Sequence, residues 1–378
     1  MIIYVVKQGD TLDKIASEYS IKLDFLIAQN MLKEPNNLVI GQTIVIPDNN
    51  SNNRLKAICT NGYLYPNIDL DILDKTLKYL TFATIFTYGF DQNADLIIPQ
   101  DEDALDVILE SDTKPILLIS TLGSDGQFSN ELANILLNNL DLQYKLIYNL
   151  ITIMQNKNYF GLDIDFEYVL PEDRDNFINF IALATEIFNK YGYPVMTSLA
   201  PKVSSDQKGL LYEAHDYNPI GDNSDAVLLM TYEWGYTYGP PMAVSPLNSV
   251  KKVLDYAITE IPPEKIFMGI PNYGYDWTLP YIKGETKAQS IGNVQAVEIA
   301  LQNNATIKYD DTAQSPYFSY YSDDKEHIVW FEDARSIKAK LLTAYDYNFT
   351  GVSFWNIMRY FPQNWLVLES LFDIYKIK

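Results

Sequence analysis

Residues 160–169, FGLDIDFEYV, alternate Asp163, Asp165 and Glu167 with Leu162, Ile164 and Phe166. In a strand, side chains two apart share a face. This spacing therefore sets three acids on one side and three apolar residues on the other. Neighbouring carboxylates on such a face stand about 7 Å apart. They repel one another and lose hydration, so the arrangement is costly unless chemistry uses it.

The stretch sits within a repeating rhythm. Short, β-rich apolar runs occur at KAICTNGYLYP, YLTFATIFTYGF, KPILLIS, FGLDIDFE, PVMTSLAP, AVLLMTYE, KIFMGIPNYG and GVSFWNI. Their nearly continuous apolar character is that of parallel strands buried on both faces. Longer amphipathic stretches separate them; in RDNFINFIALATEIFNKYG, Phe177, Phe180, Ile181 and Ala184 make an inner stripe. Eight strands with helical crossovers predict an α/β fold, a (β/α)8 TIM barrel. A doubly wound open sheet is the alternative, but no Gly-rich phosphate loop follows the first strand.

One connection breaks the rhythm. Between the seventh and eighth runs, SIGNVQAVEIALQNN reads as a helix and TIKYDDTAQSPYFSYYSDDKEHIVWF as strands with hairpin turns. A small α+β insertion is expected at about 280–340; its aromatic content disfavours a disordered loop.

The amino-terminal segment reads as a separate βααβ module, with domain boundaries expected at 1–48, a polar linker at 49–54 and the barrel at 55–378. Gly9 turns the chain, Asp10 is placed as an N-cap and Asp13 lies in the first helical turn, where the helix dipole favours an acid. Leu12, Ile15, Ala16 and Tyr19 form an apolar stripe, a second helix stops at Asn30, and NLVIGQTIVIP returns as a strand.

Composition narrows the function. The chain has 378 residues, 47% of them hydrophobic and 20% charged, and 29 tyrosines. Tyr and Trp offer flat apolar faces with polar edges, which suit sugars as well as cores. A formal charge of −21 makes nucleic acid and anionic membrane surfaces poor partners. A single cysteine, Cys59, excludes an internal disulfide and a Cys-based metal site, and two histidines, His215 and His327, make a His-rich zinc site improbable. The start MIIYVVKQGD has neither the basic lead nor the cleavage site of a signal peptide, and is too short in apolar character for a membrane helix.

Barrel enzymes work at the carboxyl ends of their strands, and the fourth strand is expected to run to Glu167, pointing its acids at the mouth. A carboxyl beside another in a partly desolvated pocket has its pKa raised, as a general acid requires. The sixth strand adds Tyr232 and Glu233 in MTYEWG, with Trp234 nearby, and the eighth delivers Trp355, an indole able to floor a sugar pocket. For Asp163, a buried carboxylate that is merely hydrogen-bonded is the alternative; Tyr232 and Trp355 as plain packing are the alternatives at the other strand ends.

Two family resemblances follow from these motifs. YVVKQGDTLDKIASEYSI with NLVIGQTIVIP resembles a LysM domain over residues 2–47, with both the GDTL entry and the GQ…IP exit present. That likeness implies binding of N-acetylglucosamine chains in a groove near Gly9, Asp10 and Thr11 on one side and Asn37 and Leu38 on the other.

Residues 55–378 resemble glycoside hydrolase family 18. FGLDIDFE matches its Asp-x-Asp-x-Glu core, with Phe160 where an acid usually precedes the glycine. LMTYEWGYTYGPPMAVSPLN and MGIPNYGYDWTLP look like the spore-cortex-lytic branch, whose members join LysM modules, often two, to this barrel; one is visible here. Where chitinases of the family carry Met-x-Tyr-Asp, Glu233 is the longer homologue.

The likeness implies retaining, substrate-assisted hydrolysis of peptidoglycan by an N-acetylglucosaminidase. Glu167 would be acid and then base, Asp165 would steady the acetamido group, Tyr232 would bond its carbonyl and Asp163 would tune Asp165. Trp355, Glu233, Trp234, Asn272 and Tyr273 would bind substrate. No metal or organic cofactor is implied. A monomer is expected, acting on peptidoglycan or another N-acetylglucosamine-containing glycan, at the spore coat and cortex or the cell wall, with no nucleic-acid partner and no membrane insertion. A chitinase or other endo-acting wall hydrolase, and a non-catalytic lectin on the same barrel, are the competing readings.

Overall fold

A computed structural model describes residues 1–47, 54–123 and 127–377. The linker expected at 49–54 lies outside the described residues except for Arg54. All eight apolar runs form strands: Lys56–Leu64, Phe82–Phe90, Lys114–Ser120, Gly161–Asp165, Val195–Leu199, Ala226–Leu229, Ile266–Pro271 and Gly351–Trp355. They pair in parallel, each with its neighbours, and the first strand pairs with both the second and the eighth, so the barrel closes. These are counted below as the first to eighth barrel strands.

The period-two pattern sorts their side chains into two cores. Leu162, Ile164 and Phe166 face outward into the large cluster under the helices, beside Leu117 and Ile119. Leu118, Met196, Leu228 and Phe267 fill the barrel interior with Tyr63 and Phe86, and Asp163 pairs in register with Leu118 and Met196. The helix Arg174–Lys190 buries the stripe read from its spacing, Phe177, Phe180, Ile181 and Ala184. Helix Leu140–Lys157 starts where Asn139 accepts from the amides of Asp141 and Leu142, satisfying donors that the first turn leaves free. No described helix is long and apolar enough to cross a membrane.

After the seventh strand the chain builds a five-stranded antiparallel sheet (Gly274–Thr278, Gln289–Ile291, Lys308–Asp310, Ser315–Ser322 and Lys325–Trp330) backed by helix Asn293–Gln302. This is the α+β insertion. Its first strand begins at Gly274, and the following helix, Ala334–Asp346, packs Ile337, Leu341 and Ala344 back into the barrel's outer core.

The amino-terminal module pairs Ile2–Val5 antiparallel with Thr43–Ile46 around helices Leu12–Glu18 and Leu23–Asn30. Asp10 is not its first N-cap. Thr11 caps the helix, its Oγ1 accepting from the Lys14 amide, while Asp10 closes the preceding turn by accepting from the Lys7 amide at 2.7 Å. The module docks on the insertion and the last helix. Val39 is buried in the insertion's core with Ile307, Phe318 and Phe331, and the Ile307 amide donates to Ile40 O at 2.9 Å. Thr43 and Gln363 exchange two hydrogen bonds of 2.7 Å. Gly41 is required here: its φ is +88°, and a Cβ would stand 1.9 Å from Ile307 O.

Candidate active site

The fourth strand ends at Asp165, two residues earlier than the spacing suggests. Three residues on, Tyr168 adopts φ +59°, a left-handed conformation that costs a tyrosine about 1–3 kcal/mol. Three depths result. Asp163 is fully buried inside the barrel, Asp165 is 5% exposed just above it, and Glu167 is half-buried on the rim.

Asp163 sits in a polar cradle. The Tyr63 hydroxyl donates to its Oδ2 at 2.5 Å, and Ser198 Oγ donates to its Oδ1 at 3.1 Å. Burial pushes its pKa up to about 7 against the lowering effect of both hydroxyls. Asp165 has no such help: its Oδ1 is buried without a hydrogen-bond partner. Burial, then Glu167 and Asp163 on either side, hold it well above the ordinary carboxylate range. Glu167 is raised too, by burial first and the Glu233 charge second. Burial and mutual repulsion thus push all three carboxyls of the column in the same direction, toward the protonated form.

The sixth strand and the insertion supply the opposite wall. Tyr232 is 8% exposed. Glu233 adopts φ +66° and keeps exposed surface, but its carboxylate is clamped by two tyrosines. Tyr273 donates to Oε1, and Tyr275 OH lies 3.1 and 3.3 Å from the two oxygens. Desolvation raises Glu233, and both tyrosines oppose that rise. Tyr275 belongs to the insertion's first strand, so the insertion reaches the acids directly.

Trp355 ends the eighth strand with its ring roughly parallel to Tyr232 (6.5 Å, 19°) and edge-on to Phe86 (5.2 Å, 76°). It floors a chamber of about 460 Å³ lined by Tyr63, Phe86, Asp165, Glu167 and Tyr232. A second chamber of about 520 Å³ is lined by Pro201, Tyr212, Trp234, Ser249 and Lys252. Glu167, Met230, Tyr232 and Glu233 line both, so the chambers meet at the rim acid.

The other residues singled out from sequence divide. Trp234 lines the second chamber, and Tyr273 acts on Glu233. Asn272 lines neither: it is 2% exposed and its amide donates to Asn356 O and Arg359 O at 2.9 Å each, bracing the loop after the eighth strand. In the amino-terminal module Gly9, Thr11 and Asn37 are exposed and Asp10 half-buried, while Leu38 packs against the module's own core.

Sequence reading missed Tyr63, Ser198 and Tyr275. The first two stand near the carboxyl ends of barrel strands, a positional signal that could have nominated them. Tyr275 lies inside the insertion, where no barrel rule reaches it.

Comparison with known proteins agrees with this geometry. The profile described as Glycosyl hydrolases family 18 matches residues 62–359, and that of the LysM domain matches residues 4–47. The cortical fragment-lytic enzyme of Bacillus subtilis (strain 168) is 39% identical over 100% of this chain and 99% of its own length. The crystal structure of the spore cortex-lytic enzyme SleL of Bacillus megaterium QM B1551 superposes with a TM-score of 0.95 at 34% identity, covering 100% of this chain and 99% of that one. A chitinase from Chromobacterium violaceum shares the fold at 23% identity and a TM-score of 0.78, over 83% of this chain and 98% of its own. The chain therefore belongs to glycosyl hydrolases family 18, a glycoside hydrolase with a LysM domain ahead of its barrel.

Proposed function

We propose that this glycoside hydrolase is a peptidoglycan hydrolase of the spore cortex, an N-acetylglucosaminidase working by retaining, substrate-assisted hydrolysis. The observation that carries the mechanism is the buried, unpartnered Oδ1 of Asp165 next to the rim acid Glu167. A carboxylate left without a partner in an aromatic chamber is free to take a substrate amide. The substrate assignment rests on relatives matched end to end, whose names are cortical fragment-lytic and spore cortex-lytic enzymes.

In this reading the reacting sugar lies on Trp355 in the first chamber and the leaving group occupies the second. The glycosidic oxygen sits where the chambers meet. Glu167 protonates that oxygen while the sugar's own acetamido oxygen attacks the anomeric carbon, forming an oxazolinium intermediate. Asp165 orients the acetamido nitrogen and balances its positive charge, and Asp163 tunes Asp165. Tyr232 bonds the acetamido carbonyl. Glu167, now ionised, takes a proton from the water that opens the ring, which restores the acid and retains the anomeric configuration. Glu233, Trp234 and Tyr273 shape the leaving-group side.

The LysM domain, through Gly9, Asp10, Thr11 and Asn37, holds the protein, acting as a monomer, on the wall or cortex glycan. Mass spectrometry of products from cortex peptidoglycan tests the assignment. Reducing-end N-acetylglucosamine is expected; reducing-end muramic acid would make the protein a muramidase, and no cleavage would overturn the cortex assignment.

A further inference from the structure

A buried histidine outside both chambers touches the segment that carries the acids. His215 is 1% exposed. Its Nδ1 lies 2.9 Å from the amide of Ala200, which can only donate. Nδ1 is therefore the unprotonated nitrogen, and in a neutral ring the proton sits on Nε2. Nε2 lies 3.1 Å from the carbonyl oxygen of Phe166, so it donates there. Burial agrees with a neutral ring, pushing the imidazole down to about 4.

Phe166 is the residue between Asp165 and Glu167. Its ring is held independently, stacked on Phe177 and Phe180 at 5.9 and 5.6 Å. The strand ladder ends at Asp165, so the peptide that aims Glu167 is past the last pair of the sheet. His215 takes hold at that point.

The other end of the contact is a sealed network. Tyr217 OH donates to Ala200 O at 2.6 Å and accepts from the Lys202 amide at 2.9 Å. Lys202 Nζ, itself buried, donates to His215 O at 2.9 Å. The loop so closed supplies Pro201, Val203 and Tyr212 to the second chamber.

We infer that His215 is a positioning residue for hydrolysis: as the neutral Nε2–H tautomer it ties the peptide between Asp165 and Glu167 to the loop walling the second chamber. The inference rests on Glu167 being the acid. Displacing a reacting group by an ångström is worth about 10²-fold in rate, which sets the size of the expected effect.

The test compares His215→Leu, which fills the space without hydrogen bonds, with His215→Gln, whose carboxamide offers an acceptor and a donor. Both are assayed on soluble N-acetylated glycan fragments below their unfolding temperatures. We expect the leucine variant to lose kcat by roughly 10–10²-fold with KM nearly unchanged, and the glutamine variant to recover most of it. A folded leucine variant with unchanged kcat, or equal losses in both variants, overturns the inference. Should the leucine variant not fold, nitrogen NMR of the wild-type imidazole at neutral pH decides: the Nε2–H tautomer is expected, and a charged ring or an Nδ1–H tautomer overturns it. Glu167→Gln, run alongside, separates the two readings. Activity there defeats Glu167 as the acid, whereas an inactive Glu167→Gln with an unaffected His215→Leu defeats only the positioning role.

Discussion

The Tyr63 hydroxyl donates to Asp163 Oδ2 across 2.5 Å, although the two residues lie 100 positions apart on the first and fourth strands. That bond and the one from Ser198 are what lower the pKa of a carboxyl that burial raises to about 7. Tyr63→Phe keeps the ring against Trp355 (5.6 Å) but removes a donor. The Asp163 pKa then rises further, and the group is neutral at pH 7. The expected outcome is a loss of kcat of roughly tenfold or more, in line with a misplaced proton in acid–base catalysis. Unchanged kcat across the pH range would show that Asp163 only packs.

Glu167→Gln removes the transferable proton while keeping shape. General acid catalysis is worth about 10²–10⁴-fold, so turnover of N-acetylated glycan is expected to fall by at least that lower figure, with the thermal midpoint unchanged. In the wild type the acid form of Glu167 is present below about 7. Activity is therefore expected to decline as pH rises through that value, read as the alkaline limb of kcat/KM.

Glu233 raises Glu167 by its charge, so neutralising it lowers the Glu167 pKa. Glu233→Gln is expected to move the alkaline limb toward lower pH, with Tyr273 and Tyr275 still in place to hold the side chain. A limb that stays put, or moves up, would mean that Glu233 serves the substrate alone.

Lys340 and Glu332 form a buried ion pair at 2.8 Å, 0% and 1% exposed, where the insertion meets the barrel. Lys340→Met strands the Glu332 carboxylate in the interior. Breaking such a pair from one side costs about 3–5 kcal/mol. A large fall in the denaturation midpoint is expected, with partial recovery when Glu332→Leu is added; a fall too small to resolve would place water beside the pair.

The docked LysM domain yields a two-part expectation. Deleting residues 1–47 removes Val39 from the insertion's core as well as the glycan-binding module. Retention on insoluble cell wall is expected to drop in a pull-down more than turnover of small soluble fragments slows. The thermal midpoint is expected to fall too, because Ile307, Phe318 and Phe331 lose an apolar partner. Equal retention of both forms would end the anchoring reading.

Much of this molecule is written in short-range pattern. Alternation of Leu162, Ile164 and Phe166 with Asp163 and Asp165 assigns each side chain to the outer core or the barrel interior, because a strand has only two faces. The eight apolar runs and the Phe177–Ala184 stripe are legible for the same reason. Local pattern misjudged the strand's last residue, since apolar alternation runs on to Phe166 while the ladder stops at Asp165, and it gave Asp10 the cap that Thr11 makes. The substrate role of Asn272 came from family likeness instead, and neither source showed that its amide donates to Asn356 O and Arg359 O.

What the sequence alone determined is therefore the barrel, the βααβ module ahead of it and the column of acids at one strand's end. All of these follow from periodicity within a few residues. Only the tertiary structure decided who attends those acids: Tyr63 and Ser198 on Asp163, Tyr275 on Glu233, His215 on the peptide between Asp165 and Glu167. Each partner comes from another strand or loop, and barrel closure brings it to the site. Hydrogen bonds need donor and acceptor within about 3 Å, and spacing along the chain carries no record of that distance.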